Sequence, residues 1–126
     1  MSNVVYLAAG RDQPAGILLI ESDPLARIAA AGHLRKAGLT VLEAVDGAEA
    51  LTLLRAGRTP SLVFGELADV IGTLQHEFPE VKLLLGCARD TIPVARNRVG
   101  TVRRPYDLRE VERMVKALLV GACRPN

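Results

Sequence analysis

Short apolar runs of strand length alternate with stretches of helical spacing along most of the chain. The runs are ILLI (17–20), TVLEA (40–44), SLVFGE (61–66), VKLLLGC (81–87) and VGTVR (99–103). The helical stretches begin at Asp23 and extend over 46–58, 67–78, 88–98 and 107–120. Alternating units of this kind build a parallel sheet with helices on both faces. The sequence therefore predicts a doubly wound, five-stranded parallel sheet in a three-layer α/β/α arrangement.

The helical stretches differ in how clearly the sequence defines them. The first can begin at Ser22 or Asp23, whose side chains cap helices, and Gly38 is a typical stop. Its apolar positions at roughly helical spacing are Leu25, Ile28, Ala29 and Leu34. The stretch 88–98 is weak because Pro93 interrupts it, and proline inside a helix removes a hydrogen bond. We expect five helices, of which 88–98 is the least regular.

Composition and charge exclude several function classes. The chain has 126 residues and a net charge of +2, from 16 basic and 14 acidic side chains. This length fits one domain, and 49% apolar residues are enough for a core. The charge is too balanced to predict binding to nucleic acid, which favours a clustered basic face. Since the chain has neither a secretory signal nor an apolar run of bilayer length, we expect a cytoplasmic protein that does not bind membranes.

The ends of the chain differ from its middle. Residues 1–14 contain a short apolar run and a hinge-like segment, and we interpret them as an N-terminal tail or arm. The folded domain is expected over 15–121, followed by a C-terminal tail at 122–126. Cys87 and Cys123 lack metal-ligand spacing and are expected to be reduced thiols.

Polar and charged side chains follow the carboxyl ends of the predicted strands. Ligands of open parallel sheets bind at that edge, near the point where the strand order reverses. The residues there are Glu21, Ser22 and Asp23 after the first strand, Glu66 after the third, Cys87 after the fourth, and Arg103, Arg104 and Pro105 after the fifth. We therefore expect acids, a small group and a cation to converge on one cleft.

The usual signatures of enzymes are missing from the sequence. His33 and His76 lie on separate predicted helices without a ligand partner at metal spacing. No Ser/His/Asp order, glycine-rich phosphate loop or dinucleotide fingerprint occurs. Cys87 is best interpreted as a small packed group, because cysteines at strand ends are commonly buried. We expect no catalytic residue and no metal site.

Four segments carry a resemblance to a known family. They are ILLIESDPLAR, AGLTVLEAVDGAEALTLLRAG, PSLVFGEL and VRRPYDLREVERMVKALL, within residues 16–120. These segments resemble the receiver domains of bacterial two-component response regulators, in particular the chemotaxis-regulator-like ones. The resemblance implies the flavodoxin-like receiver fold. It also implies a chemistry in which an aspartate accepts a phosphoryl group from a histidine kinase with the help of Mg²⁺.

The sequence departs from the receiver pattern at most positions that carry this chemistry. Glu66 stands at the phosphoacceptor position. Of the acidic pair that holds the metal, Glu21 is kept, whereas Ser22 replaces the second acid and Asp23 lies beside it. At the positions that contact the phosphoryl group, Cys87 stands in place of a hydroxyl residue and Arg104 in place of lysine. At the position of the switch residue, Thr101 stands in place of an aromatic residue.

These departures favour a pseudo-receiver, a stand-alone signalling protein that works without phosphorylation and without a cofactor. In this hypothesis Glu66 imitates a phosphorylated aspartate and Arg104 grips it with two parallel bonds. The alternative is a response regulator that still accepts phosphate from a histidine kinase with Mg²⁺. Two further interpretations are a solvated strand-end acid at Glu66, and a nucleotide or small-anion binder. The second would use the arginine cluster within 89–104, which consists of Arg89, Arg96, Arg98, Arg103 and Arg104.

The resemblance also implies where a partner binds. In the family, the face formed by the fourth helix, fifth strand and fifth helix mediates dimers or docking. The corresponding candidates here are Arg96, Arg98, Arg103, Tyr106, Arg109 and Arg113. Arginine and tyrosine are favoured anchors at interfaces. We expect an acidic signalling partner, such as a histidine kinase or another regulator, or a homodimer.

Overall fold

The computed structural model describes residues 16–87, 95–96 and 99–120. Its strands are β1 (Gly16–Ile20), β2 (Thr40–Ala44), β3 (Leu62–Gly65), β4 (Lys82–Cys87), β5 (Ala95–Arg96) and β6 (Val99–Arg103). Its helices are α1 (Pro24–Lys36), α2 (Gly47–Arg55), α3 (Ile71–Glu77) and α4 (Leu108–Val120). None of these helices combines the length and the apolar character that crossing a bilayer requires. The predicted boundaries of the tails at 1–14 and 122–126 lie outside the described residues.

One sheet runs through the domain in the order β2-β1-β3-β4-β6-β5. All pairings among β1, β2, β3, β4 and β6 are parallel. This confirms the predicted five-stranded parallel sheet. The chain moves outward from β1 to β2 and then returns to pair β3 with the other side of β1. The strand order therefore reverses between β1 and β3, and the carboxyl ends of strands at such a reversal are where open parallel sheets bind ligands.

A short antiparallel strand extends this sheet at one edge. In β5, Ala95 lies opposite Gly100 and Arg96 lies opposite Val99. The prediction of a helix over 88–98 is therefore wrong at these two residues, and the remainder of that stretch lies outside the described residues. Pro93 provides the physical reason, because proline interrupts a helical ladder and pairing with β6 offers the backbone other hydrogen bonds.

The core consists of two apolar clusters separated by the sheet, because successive side chains of a strand point to opposite faces. Ile17 and Leu19 of β1 belong to one cluster, and Leu18 and Ile20 belong to the other. Helices α1 and α4 cover the first cluster with Ala30, Ala31, Leu34, Val111, Val115 and Leu118. Helices α2 and α3 cover the second with Ala50, Leu54 and Leu74. A strand covered on both faces needs a continuous apolar run, which explains the sequence of β1.

Helix α1 begins as predicted but buries a different face. The Asp23 carboxylate caps it by accepting a hydrogen bond from the amide of Ala26 at 3.0 Å. The buried residues of α1 are Ala30, Ala31 and Leu34. Of the apolar positions at helical spacing in the sequence, Leu34 is buried, whereas Leu25 and Ile28 are 77% and 61% exposed. The buried face of α1 is therefore formed by two small side chains and Leu34, while the larger side chains near its start face solvent.

Candidate functional site

Strand β3 places Glu66 at the sheet edge through an unusual backbone at Gly65. This glycine has a φ of 130°, and a Cβ there would overlap the backbone oxygen of Ile20. Glycine adopts such a conformation without steric cost. The amide of Glu66 then donates to the same Ile20 oxygen at 2.9 Å. The sequence analysis missed Gly65, although a glycine at the end of an apolar strand is a signal of close backbone approach.

Arg104 connects two carboxylates that come from different strands. Its Nη1 donates to Oε2 of Glu66 at 2.9 Å, and its Nη2 donates to Oε2 of Glu21 at 3.2 Å. The expected pair of parallel bonds to Glu66 alone is therefore wrong. The planar guanidinium presents donors in fixed directions, so it can serve two acceptors on neighbouring strand ends at once. One cation thus bridges two acids.

Glu21 is the fully buried member of this group. Its side chain has no exposed surface, and Oε2 also accepts a hydrogen bond from the amide of Asp23 at 3.1 Å. Oε1 has no hydrogen-bond partner. The carboxylate of Asp23 is engaged elsewhere, as the cap of α1. Of the two acids expected after β1, only Glu21 therefore contacts Arg104 in the structure.

Ser22 contributes two hydrogen bonds to Glu66. Its amide donates to Oε1 at 3.3 Å, and its hydroxyl donates to Oε2 at 3.2 Å. A carboxylate at this position would repel Glu66 instead of donating to it. The serine is therefore matched to the glutamate.

The site strongly favours the charged forms of Glu66 and Arg104. Partial burial opposes the ionisation of Glu66, but hydrogen bonds from Arg104 and Ser22 outweigh it and hold its pKa below the ordinary value of 4.5. Burial similarly opposes the charge of Arg104, yet the bond to Glu66 and the neighbouring acids raise its pKa. Both side chains therefore remain charged at neutral pH.

These side chains do not match the ligand set that Mg²⁺ prefers. The ion requires oxygen ligands in near-octahedral geometry, usually one or two carboxylates together with water. Here Oε2 of both Glu21 and Glu66 already accepts from the guanidinium of Arg104. Within residues 16–87 and 99–120, no three His, Cys, Asp or Glu side chains are placed to hold a metal ion. A divalent cation would have to displace Arg104 from these oxygens.

Tyr106 lies against the site, where the sequence analysis had placed it only among interface candidates. Its half-buried ring packs on Phe64 with 4.9 Å between ring centroids and 56° between planes. The guanidinium carbon of Arg104 lies 5.4 Å from the centre of the Tyr106 ring. The tyrosine hydroxyl is buried and has no hydrogen-bond partner. The residue after the Arg104–Pro105 pair therefore belongs to the site as well.

Cys87 and Thr101 lie near this group on strands β4 and β6. The thiol of Cys87 is 3.7 Å from the backbone oxygen of Leu85, a long and weak contact. It lines a cleft of about 550 Å³ that also includes Asp23 and Tyr106. Thr101 is paired with Leu85 across the strands and is half-buried.

The arginine candidates for an interface divide into two groups. Arg103, Arg109 and Arg113 are exposed, on β6 and α4. Arg96 belongs to β5, and its side chain lies outside the described part of the structure, as does the whole of Arg98. Arg109 and Arg113 lie on α4, a helix that packs against the strand of Arg103, and we call these three exposed residues the arginine surface. Arg103 directly precedes Arg104, so this surface and the site share one segment of backbone.

No protein-family model matches the sequence, and no match is found among curated proteins. Solved structures do match. The receiver domain of the hybrid histidine kinase CckA is 24% identical with a TM-score of 0.69, covering 82% of this chain and 98% of that one. A response regulator from Thermotoga maritima is 20% identical with a TM-score of 0.67, and the match covers 86% of this chain and 98% of that chain.

A third match was solved in complex with a ligand. The response regulator TrrA from Thermotoga maritima, solved in complex with Mg²⁺ and BeF, is 21% identical with a TM-score of 0.69. The match covers 82% of this chain and 98% of that chain. Identities at this level establish a shared architecture. This chain has the fold of response-regulator receiver domains.

Proposed function

We propose that this chain is an atypical receiver, a pseudo-receiver that acts in two-component signalling as a protein-interaction module without being phosphorylated. The supporting observation is the guanidinium of Arg104 held between Glu21 and Glu66. A cation supplied by the chain itself neutralises the acids that would otherwise attract a metal. We accordingly propose a cytoplasmic protein that is not an enzyme and uses no cofactor.

Glu66 is poorly arranged to act as a nucleophile toward phosphorus. Its Oε1 accepts from the Ser22 amide, and its Oε2 accepts from both Ser22 and Arg104. Phosphoryl transfer depends on an attacking oxygen aligned with the leaving group. The additional methylene of glutamate, relative to aspartate, displaces that oxygen, and a misplacement of about 1 Å can cost about 10²-fold in rate. These effects act together against transfer.

The same contacts suit a permanent imitation of the phosphorylated state. A phosphorylated aspartate would extend negative charge toward the cation that follows the last parallel strand. Glu66 is one methylene longer than aspartate and meets Arg104 at 2.9 Å without a phosphoryl group. Charge-assisted bonds of this type are stronger than neutral ones. We propose that this pair keeps the segment from Arg103 to Tyr106 in one conformation.

Incubation with acetyl phosphate and Mg²⁺, followed by intact-mass measurement, tests the proposal against the phosphorylatable alternative. We expect the mass of the chain to stay unchanged while an ordinary receiver, treated in parallel, gains one phosphoryl group. A stable adduct on the wild type that is lost in Glu66→Gln would show that Glu66 still accepts phosphate. Isothermal titration with Mg²⁺ provides a second measurement, and tight binding would contradict the proposal.

The arginine surface is the proposed docking site, and its charge favours an acidic signalling partner such as a histidine kinase or another regulator. Arg103, Arg109 and Arg113 are each exposed, and arginine is enriched at binding hot spots. Affinity capture from the source cell with wild type and Arg109→Glu would test this. Arg58→Glu, an equal charge reversal at an exposed position after α2, is the matched control. A partner lost by both variants or by neither would contradict this placement of the interface. A homodimer would be detected by light scattering as a particle of twice the mass of the chain.

A further inference from the structure

Two buried polar atoms in the described part of the chain lack a hydrogen-bond partner, and both belong to neighbours of Arg104. They are Oε1 of Glu21 and the hydroxyl of Tyr106. Native structures leave few buried polar atoms unpaired, because each one costs stability. A carboxylate oxygen can only accept a hydrogen bond, whereas a tyrosine hydroxyl can donate one. The two unpaired atoms are therefore chemically complementary.

Contacts on three sides fix the ring of Tyr106. Phe64 lies against one part of the ring, and Arg104 lies within cation–π distance. On the third side is Gly86, where an added Cβ would fall 2.5 Å from the tyrosine oxygen. Any residue other than glycine at this position would therefore push the hydroxyl away. The absence of a side chain at position 86 is what gives Tyr106 its place.

The surroundings of Tyr106 also keep its hydroxyl protonated. Burial is the main cause that raises its pKa, and Arg104 opposes this effect. The carboxylates of Glu21 and Glu66 raise the pKa further, because a phenolate would be repelled by them. The hydroxyl therefore remains a donor. A hydrogen-bonding interaction with the Glu21 side chain also contributes to the raised pKa, although the two groups do not meet the geometry of a regular hydrogen bond.

We infer that the hydroxyl of Tyr106 donates a hydrogen bond to Oε1 of Glu21, and that Tyr106 is a positioning residue for Arg104. One bond of this kind satisfies both unpaired atoms. Glu21 is then held by Arg104 at Oε2 and by Tyr106 at Oε1, while the tyrosine ring supports the guanidinium. This inference deepens the proposed function and rests on it, since it names the residue that joins the charged site to the neighbouring arginine surface.

Tyrosine fluorescence tests the bond directly. The chain has two tyrosines, Tyr6 and Tyr106, and no tryptophan, so Tyr6→Phe leaves a single emitter. A hydrogen bond to a carboxylate quenches tyrosine emission. In the Tyr6→Phe background we expect Glu21→Gln to increase the emission of Tyr106 at least twofold. Unchanged emission from a folded Glu21→Gln variant would overturn the inferred bond.

The positioning role is tested by hydrogen exchange of the Arg104 guanidinium, measured by ¹⁵N nuclear magnetic resonance. We expect Tyr106→Phe to speed this exchange at least fivefold, because Glu21 loses one of its two supports. Gly86→Ala should have the same effect by displacing the ring while keeping its hydroxyl. Tyr6→Phe is the matched control and should leave the exchange unchanged. Equal exchange in wild type and Tyr106→Phe would overturn the inference, and this holds even if Glu21→Gln does not fold.

These measurements separate the inference from the proposed function. They use the chain alone, without Mg²⁺ or a phosphoryl donor. A phosphoryl adduct on the wild type, together with faster guanidinium exchange in Tyr106→Phe than in the wild type, would contradict the pseudo-receiver proposal and support the role of Tyr106. Unchanged fluorescence and exchange in the variants, together with no adduct on the wild type, would contradict the role of Tyr106 and support the pseudo-receiver proposal.

Discussion

Nη2 of Arg104 lies 3.2 Å from Oε2 of Glu21, a side chain without exposed surface, whereas the arginine side chain is 35% exposed. The buried carboxylate of Glu21 is thus neutralised by Arg104, a residue that is partly exposed to solvent. Removing one partner of a buried pair leaves an uncompensated charge, which is far more costly than losing a surface salt bridge. The stability of this sheet edge therefore depends on Arg104.

We expect Arg104→Met to lower the free energy of unfolding by about 3 kcal/mol, because Glu21 is left buried without its cation. Arg104→Lys should cost less, about 1 kcal/mol, because the charge is kept while a donor is lost. Urea denaturation at neutral pH measures both values. The double variant Arg104→Met/Glu21→Gln should recover part of the loss. If the second substitution makes no difference, the two residues do not depend on each other in this way.

A second prediction concerns pH and Glu66. Because its folded-state pKa lies below the ordinary 4.5, Glu66 adds stability above that value and loses it as pH falls through the folded pKa. The stability difference between wild type and Glu66→Gln should thus be constant, about 1 kcal/mol, near pH 7 and disappear as the pH falls through the folded-state pKa. Thermal unfolding across this range measures it. A difference that grows in acid would contradict the assigned direction of the pKa shift.

A third prediction compares two glycines of positive φ. Gly65 and Gly57 have φ values of 130° and 96°, but only at Gly65 would a Cβ meet other atoms. Gly57→Ala should cost about 1 kcal/mol from the backbone conformation alone. Gly65→Ala should cost about 3 kcal/mol or more, because β3 must also move away from Ile20. Equal losses in urea denaturation would mean that the close approach of β1 and β3 contributes nothing.

A fourth prediction follows from the orientation of α1. Leu25→Glu and Ile28→Glu should each change the free energy of unfolding by less than about 0.5 kcal/mol, since both side chains are largely exposed. Leu34→Ala on the buried face should cost about 2–5 kcal/mol. Chemical denaturation distinguishes these cases. A large loss for Leu25→Glu would mean that this side chain is buried in solution.

A fifth prediction restores the receiver pattern at three positions. The variant Ser22→Asp/Glu66→Asp/Arg104→Lys should bind Mg²⁺ at least tenfold more tightly than wild type, because two short carboxylates join Glu21 and the guanidinium that held the acids is removed. It should also gain a phosphoryl adduct from acetyl phosphate. Arg104→Lys alone serves as the control. If the triple variant remains inert, features beyond these three residues prevent the chemistry.

The strand pattern of the sequence was sufficient to predict the parallel sheet, and the reasons are physical. A buried strand such as ILLI must be apolar on both faces, so its sequence shows directly what covers it. The amphipathic helix α1 was harder, since its spacing admits more than one face. Leu25 and Ile28 fit the helical period as well as Ala30 and Ala31 do, and only the packing against β1 decides between them.

The candidate site was predicted in part. Since strand ends meet at one edge, Glu21, Glu66 and Arg104 could be expected to lie together. The sequence could not predict that the Arg104 guanidinium donates to both acids, because this depends on distances of a few tenths of an ångström. The position of Tyr106 depends on Gly86, and this dependence can be recognised only from the packing of the tyrosine ring against the glycine.

Helix α4, at the end of the described chain, covers the same face of the sheet as α1, and its Val111 and Val115 share a cluster with Ile17 and Leu19 of β1. Strand β1 lies between β2 and β3 in the sheet and pairs with both. During synthesis, therefore, β1 leaves the ribosome long before the helix that shields it. This domain can complete its fold only after α4 has emerged. A chain that stops before α4 would expose the apolar cluster around Ile17 and Leu19 to solvent and would tend to aggregate.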